Sequence, residues 1–129
     1  MSTYEKTCLI RGDGGRAIRG ILGRVADKWT LLVVATLEDG RMRFTELHQR
    51  IPGISQRMLT RTLRNLERDG LVSRDVFAEV PPRVEYELTD AGRTLIDPAV
   101  RLAEWAVAHN PQIEASQQAY DAQRGTPPL

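Results

Sequence analysis

Residues 45–69 read TELHQRIPGISQRMLTRTLRNLERD, and the reading of this stretch decides how the whole chain is organised. Thr45 can cap a helix running to about Arg50, Pro52-Gly53 makes a turn, and Ser55 caps a second helix that ends at Gly70. With Arg57 set at zero and about 100° per residue, Arg61 falls near 40°, Arg64 near −20° and Arg68 near 20°. Leu59, Leu63 and Leu66 fall near 200°, 240° and 180° on the same wheel. One face of this helix is a stripe of arginines and the opposite face a stripe of leucines. The arginine stripe is about 16 Å long. A helix, a short turn and a second helix with a basic outer face is the arrangement that lays a helix along a major groove.

Upstream, residues 1–15 read as a loosely ordered polar arm ending in Gly12, Gly14 and Gly15. Ile18, Ile21, Leu22 and Val25 recur at i, i+3, i+4, i+7 and predict a helix from about Arg16 to Val25. Asp27 is placed to cap a more buried helix, Lys28 to about Leu37, which Asp39-Gly40 stops. Downstream of Gly70 the period changes from helical to alternating. Leu71–Val80 and Arg83–Leu88 read as two strands joined at Pro81-Pro82, a hairpin whose tip cannot donate ladder hydrogen bonds. Thr89 is placed as the next cap, and residues 90–110 return to helix with Leu95, Leu102, Trp105 and Ala106 on one side. Pro98 predicts a break in that run, with Asp97 capping the second piece. The tail from Ala115, rich in Gln, Ala and Pro, is expected to fray. The expected division is an arm at 1–15, a domain at 16–110 and a tail at 111–129. The expected fold class is α+β, mainly α: a winged helix-turn-helix with flanking N- and C-terminal helices.

Composition narrows the functional classes. A chain of 129 residues, 41% apolar and 27% charged, is one globular domain's worth. The net charge of +1 conceals a strong asymmetry. Arg41–Arg74 holds eight arginines against Glu46, Glu67 and Asp69, a net +5, while the rest of the chain is net −4. A concentrated basic patch on a mildly acidic body is the electrostatic footprint of a nucleic-acid binder. No apolar run approaches membrane-helix length, and the N-terminus lacks a signal-peptide core, so a cytoplasmic protein is expected. One cysteine excludes an intramolecular disulfide framework. Cys8, His48 and His109 are too few for a zinc site without several carboxylates. No Gly-rich phosphate loop, nucleophile elbow or marked carboxylate pair is present, so neither enzyme, metal nor cofactor is expected.

Helix-turn-helix docking assigns roles along the stripe, because the N-terminal part of the second helix reaches base edges. Gln56, Arg57, Thr60 and Arg61 are the expected base contacts, since arginine bonds guanine bidentately and glutamine does the same with adenine. Arg64 and Arg68 are expected phosphate clamps. Ser55 is chiefly the cap, with a phosphate as its second option. Arg83 at the hairpin tip is the wing's expected DNA contact. Arg74 either reaches DNA or pairs with Asp75, Glu85 or Glu87 across the hairpin, and Arg41 and Arg43 could touch backbone. Trp29, Phe44 and Trp105 could line a small-ligand pocket, though aromatics at helical spacing more often belong to a core. A winged-helix module that binds protein is the alternative; it calls for an apolar recognition face, which the arginines contradict.

The segment from Lys28-Trp29-Thr30 through Arg43-Phe44, Glu46-Leu47, Ile54-Ser55, Met58-Leu59, Leu66-Glu67, Gly70-Leu71, Pro81-Pro82-Arg83-Val84-Glu85-Tyr86 and Leu88-Thr89 strongly resembles the HxlR-type winged helix-turn-helix regulators of bacteria. The resemblance covers roughly residues 8–109. It implies a homodimer whose first and last helices form the interface, with two recognition helices entering successive major grooves of double-stranded DNA. Ile18, Ile21, Leu22, Val25, Leu102, Trp105 and Val107 would supply the apolar surface for that dimer. It also implies a transcriptional regulator; repression by occluding a promoter is expected over activation, because occlusion needs no polymerase contact. The family carries a cysteine just before its first helix, which in several members senses quinones, aldehydes or oxidants, and Cys8 stands in the equivalent place. Lys6 and Arg11 nearby favour its thiolate, although Leu9 follows it where the family commonly has proline. A small-molecule effector at the dimer interface is the other expected route of regulation.

Overall fold

The computed structural model describes residues 14–125. Helix α1 runs through Gly14–Ala17, a π-helical stretch Ile18–Leu22 and a last turn Gly23–Val25. It therefore begins two residues before the expected Arg16, with Gly15 buried in its first turn. Helix α2 spans Lys28–Leu37, with Asp27 at the N-cap in extended conformation but without a side-chain cap bond. Gly40 ends it at φ 125°, donating its N–H to the Leu37 carbonyl at 3.1 Å. A two-residue strand β1, Met42–Arg43, leads directly into α3, Phe44–Arg50. Thr45 is not its cap: the Arg43 N–H donates to Glu46 Oε1 at 3.1 Å, so a side chain three residues on closes the helix start.

Helix α4, Gln56–Arg68, starts as the sequence predicts, with Ser55 Oγ accepting from the Met58 N–H at 3.0 Å. Its end is closed twice over. Gly70, at φ 77°, donates to the Glu67 carbonyl at 3.0 Å, and Leu71 donates to the Leu66 carbonyl at 2.9 Å. This left-handed exit turns the chain from the helix straight into the hairpin. Strands β2, Val72–Phe77, and β3, Arg83–Leu88, pair antiparallel, and β1 pairs on the far side of β3. The first strand stops at Phe77 rather than Val80, ahead of a tip whose two prolines have no N–H to offer a ladder. Thr89 caps the short helix α5, Asp90–Arg93, accepting from the Gly92 N–H at 3.1 Å.

The core lies where α2, α3 and α4 meet the base of the sheet. Val33, Val34, Leu37, Leu47, Leu59 and Leu63 are buried together with Met42, Val72 and Leu88. The last three share one sheet face through the registers Met42↔Tyr86, Arg74↔Tyr86 and Val72↔Leu88, so that face is the one covered by α4. The opposite face carries Ser73, Asp75 and Phe77 against Glu87, Glu85 and Arg83.

From Asp97 onward the chain forms a second compact unit, the body of helix α6, Ile96–Arg124. This helix corrects two expectations. Pro98 does not break it: proline is the third helical residue, where a backbone N–H has no intrahelical acceptor to lose. The tail is not frayed from Ala115 but helical to Arg124, with Pro111 inside the helix. Alanine and glutamine are good helix formers, and one proline removes one bond of a long ladder.

Candidate nucleic-acid interface

The leucine and arginine stripes of α4 separate as the wheel predicts. Leu59, Leu63 and Leu66 are 0–2% exposed, and Thr62 joins them on the buried face at 4%. Arg57, Arg61, Arg64 and Arg68 all lie on the exposed face, as do Ser55, Gln56 and Thr60. The Thr60 hydroxyl donates to the Gln56 carbonyl at 2.8 Å. None of the four stripe arginines has an acidic partner among the described residues, although five arginines elsewhere do. Among the described residues, acidic partners thus stand at five arginines off α4 and at none of the four along its exposed face.

The wing shows the same sorting with a result the sequence did not predict. Arg83 is turned inward, its Nη2 3.3 Å from Glu79 and its Nε 3.1 Å from Glu85, with its guanidinium over the Phe77 ring. Arg74 pairs with none of Asp75, Glu85 and Glu87. It faces Tyr86 on the α4 side of the sheet and is exposed. The carboxylates on the other face are taken by Arg41, which reaches Asp75 at 2.9 Å, Glu87 at 3.0 Å and Glu85 at 3.5 Å. The hydrogen bond to Glu87, outweighing desolvation, raises the Arg41 pKa further. Asp75 and Glu85 are direct register partners, a repulsive pair that Arg41 bridges. The hairpin therefore carries its free cation toward α4 and its carboxylates away. Arg43 is exposed without an acidic partner among the described residues, beside an open cleft of about 390 Å³ between the start of α3 and the wing tip.

Alternation along the strands could have shown that Arg74 and Asp75 face opposite sides. What it could not show is the hairpin register and the approach of Arg41, which is distant in the chain. Sequence reasoning also missed Arg24, whose guanidinium grips Asp69 at the end of α4 through two bonds of 2.9 and 3.0 Å.

Cys8 lies outside the described residues. Ile21 and Leu22 on α1 are exposed, Ile18 is half-buried, and Val25 is buried at 7%; Val25 is used inside the protomer. On α6, Leu102, Trp105 and Val107 are exposed, with Trp105 stacked on His109 at 4.8 Å. Trp29 and Phe44 are half-buried against the core, and Phe44 also lines the cleft between the start of α3 and the wing tip. Among the described residues no cluster of ligating side chains could hold a metal, and no helix is long and apolar enough to cross a membrane.

Comparison with known proteins agrees with this geometry. The HxlR-like helix-turn-helix family model matches residues 24–114. An uncharacterized HTH-type transcriptional regulator of Methanothermobacter thermautotrophicus is 50% identical over 95 residues, 74% of this chain and 72% of that protein. The redox regulator HypR in its reduced form superposes with a TM-score of 0.68 at 39% identity, covering 77% of this chain and 98% of that one. Diamide-treated YodB from B. subtilis superposes at 0.62 and 34% identity, covering 71% and 91%. The fold is a winged helix-turn-helix, and the chain belongs to the HxlR-like helix-turn-helix family of transcriptional regulators.

Proposed function

We propose that this regulator is a homodimer that binds a pseudo-palindromic operator and represses by occluding a promoter. The observation that carries the reading is the row of four exposed arginines on α4 without acidic partners, on the face opposite the buried leucines. In this reading Gln56, Arg57, Thr60 and Arg61 meet base edges, while Arg64 and Arg68 clamp phosphates. Ser55 keeps its capping bond and lies within reach of a phosphate. Exposed Ile21 and Leu22 on α1, and Leu102 and Trp105 on α6, supply the dimer surface. Two-fold symmetry then sets the half-sites about one helical turn, 34–36 Å, apart.

The test is the double substitution Arg57→Ala/Arg61→Ala, measured on DNA selected by the wild type from a random pool and on unselected DNA of equal length. Binding to selected DNA should weaken by roughly 2–6 kcal/mol, two bidentate contacts' worth. An equal, small loss on both DNAs would reduce the stripe to non-specific charge. No response would favour a protein-binding surface.

Cys8 is the proposed sensor of electrophiles or oxidants. Its support is the similarity to HypR, a redox regulator, and the basic neighbours Lys6 and Arg11. Thiol alkylation should abolish DNA binding by the wild type and leave Cys8→Ser unaffected; the same response in both would remove Cys8 from the mechanism.

A further inference from the structure

Arg24 and Asp69 join two elements that the DNA-binding reading keeps apart. Arg24 lies in the last turn of α1, just past the π-helical stretch, and Asp69 is the C-cap of α4. Arg24 Nε donates to Asp69 Oδ2 at 2.9 Å and Nη2 to Oδ1 at 3.0 Å, a two-pronged fork. The third nitrogen, Nη1, donates to the Gly20 carbonyl at 3.2 Å, inside the π-helical stretch. One guanidinium thus ties the irregular part of α1 to the end of the helix that carries the arginine stripe. Asp69 side-chain exposure is only 13%.

The position of Asp69 argues that this link is more than incidental packing. The C-terminal end of a helix is its negative pole, where a carboxylate is unfavourable by itself. Asp69 adds nothing to α4 as a helix, yet it is held by the geometry that arginine and carboxylate satisfy best. A planar fork fixes direction as well as distance, which a lysine or a single bond would not. The α1 stretch it reaches is also one with an alternative: a π turn differs from an α turn by one residue of register, and such turns recur at functional sites. Resetting that register would rotate Arg24 by about 100° and withdraw it from Asp69.

We propose that Arg24 and Asp69 are positioning residues that set the angle of α4 against α1, so that displacement of α1 is transmitted to the DNA-reading face. This inference rests on the DNA-binding reading above and names residues outside the reading face itself. Ile21 and Leu22, exposed on α1 beside the π stretch, place the receiving end of this link on the surface proposed for a second copy of the chain.

Two measurements on the full-length protein test it. Amide hydrogen exchange on the free Arg24→Gln variant should speed up in both Gly20–Val25 and Leu66–Leu71, with Val33–Leu37 unchanged. Loosening confined to α1 would overturn the coupling, and this readout needs no DNA. On DNA selected by the wild type from a random pool, Arg24→Gln and Asp69→Asn should each lose roughly 5–20-fold in affinity. Affinity for unselected DNA and its salt dependence should stay at the wild-type value, which a merely unfolded variant would not show. The charge-swapped Arg24→Asp/Asp69→Arg protein should regain most of the loss. Equal losses on selected and unselected DNA, or a swap that restores nothing, would overturn the proposal. A pool that yields no selected sequence would count against the DNA-binding reading, and the exchange result would still decide the link between α1 and α4.

Discussion

Arg83 Nε lies 3.1 Å from Glu85 Oε2, two residues along the same strand and on the same face, while its guanidinium stacks over Phe77, its partner across the hairpin, at 4.3 Å. These contacts hold the base of the wing tip and leave the Arg83 charge compensated. Arg74, on the opposite face, has no such compensation among the described residues. The two wing arginines therefore stand differently: Arg83, the expected DNA contact of the wing, is ion-paired and stacked, and Arg74 is exposed.

Arg74→Ala should weaken DNA binding uniformly across sequences and reduce the slope of log K against log salt by about one per protomer. Arg83→Ala should leave that slope near the wild-type value and lower Tm instead, through lost packing on Phe77. Slopes measured between about 50 and 200 mM salt, with thermal melts of the same proteins, separate the two; a slope change in Arg83→Ala alone would reverse the assignment.

Gly70 and Gly92 should respond to alanine for different reasons. Gly70 sits at φ 77° with open space where a methyl group would point, so Gly70→Ala meets only backbone strain, about 1 kcal/mol. Gly92 has no such strain, but a Cβ there would run into the Leu71 carbonyl. That carbonyl also accepts the Thr89 N–H at 3.1 Å and is not free to move. Gly92→Ala should cost roughly 1–3 kcal/mol, or more if the turn between wing and α5 opens. Urea unfolding of both variants checks the order, which would fail if Gly70→Ala were the worse.

Arg41 is the counter-charge for Asp75, Glu85 and Glu87 on the outer face of the wing. Arg41→Ala should lower Tm, because Asp75 and Glu85 are then left facing each other in register. Adding Glu85→Gln should restore part of the loss, and salt should narrow the gap between Arg41→Ala and wild type. Since folding raises the Arg41 pKa, its contribution is complete below the ordinary guanidinium range and is lost only as pH rises through it. The Arg41 contribution should therefore be constant across neutral and mildly alkaline pH. Melts of wild type, single and double variants test this, and a double variant less stable than Arg41→Ala would contradict it.

Features that repeat over a few residues are legible in the chain alone. The opposed stripes of α4, the caps at Ser55 and Thr89, the stop at Gly70 and the change to alternating strands are all set by neighbours along the chain. Interactions between i and i+4 are decided by helical geometry alone, so a wheel suffices to place Arg57 opposite Leu59. Local reading went astray where a residue's meaning depends on where an element begins. Pro98 breaks a helix in its interior and starts one in its first turn, and Thr45 yielded the cap to a bond between Arg43 and Glu46. Which of the described arginines meet a carboxylate is settled by packing between distant segments. Arg41 and Glu87 are 46 residues apart, and Arg24 and Asp69 are 45 apart. Their meeting depends on how α1, the recognition helix and the hairpin pack around one core. Sixteen arginines look alike in the sequence, and the fold chooses between them by bringing carboxylates to some and none to the face of α4.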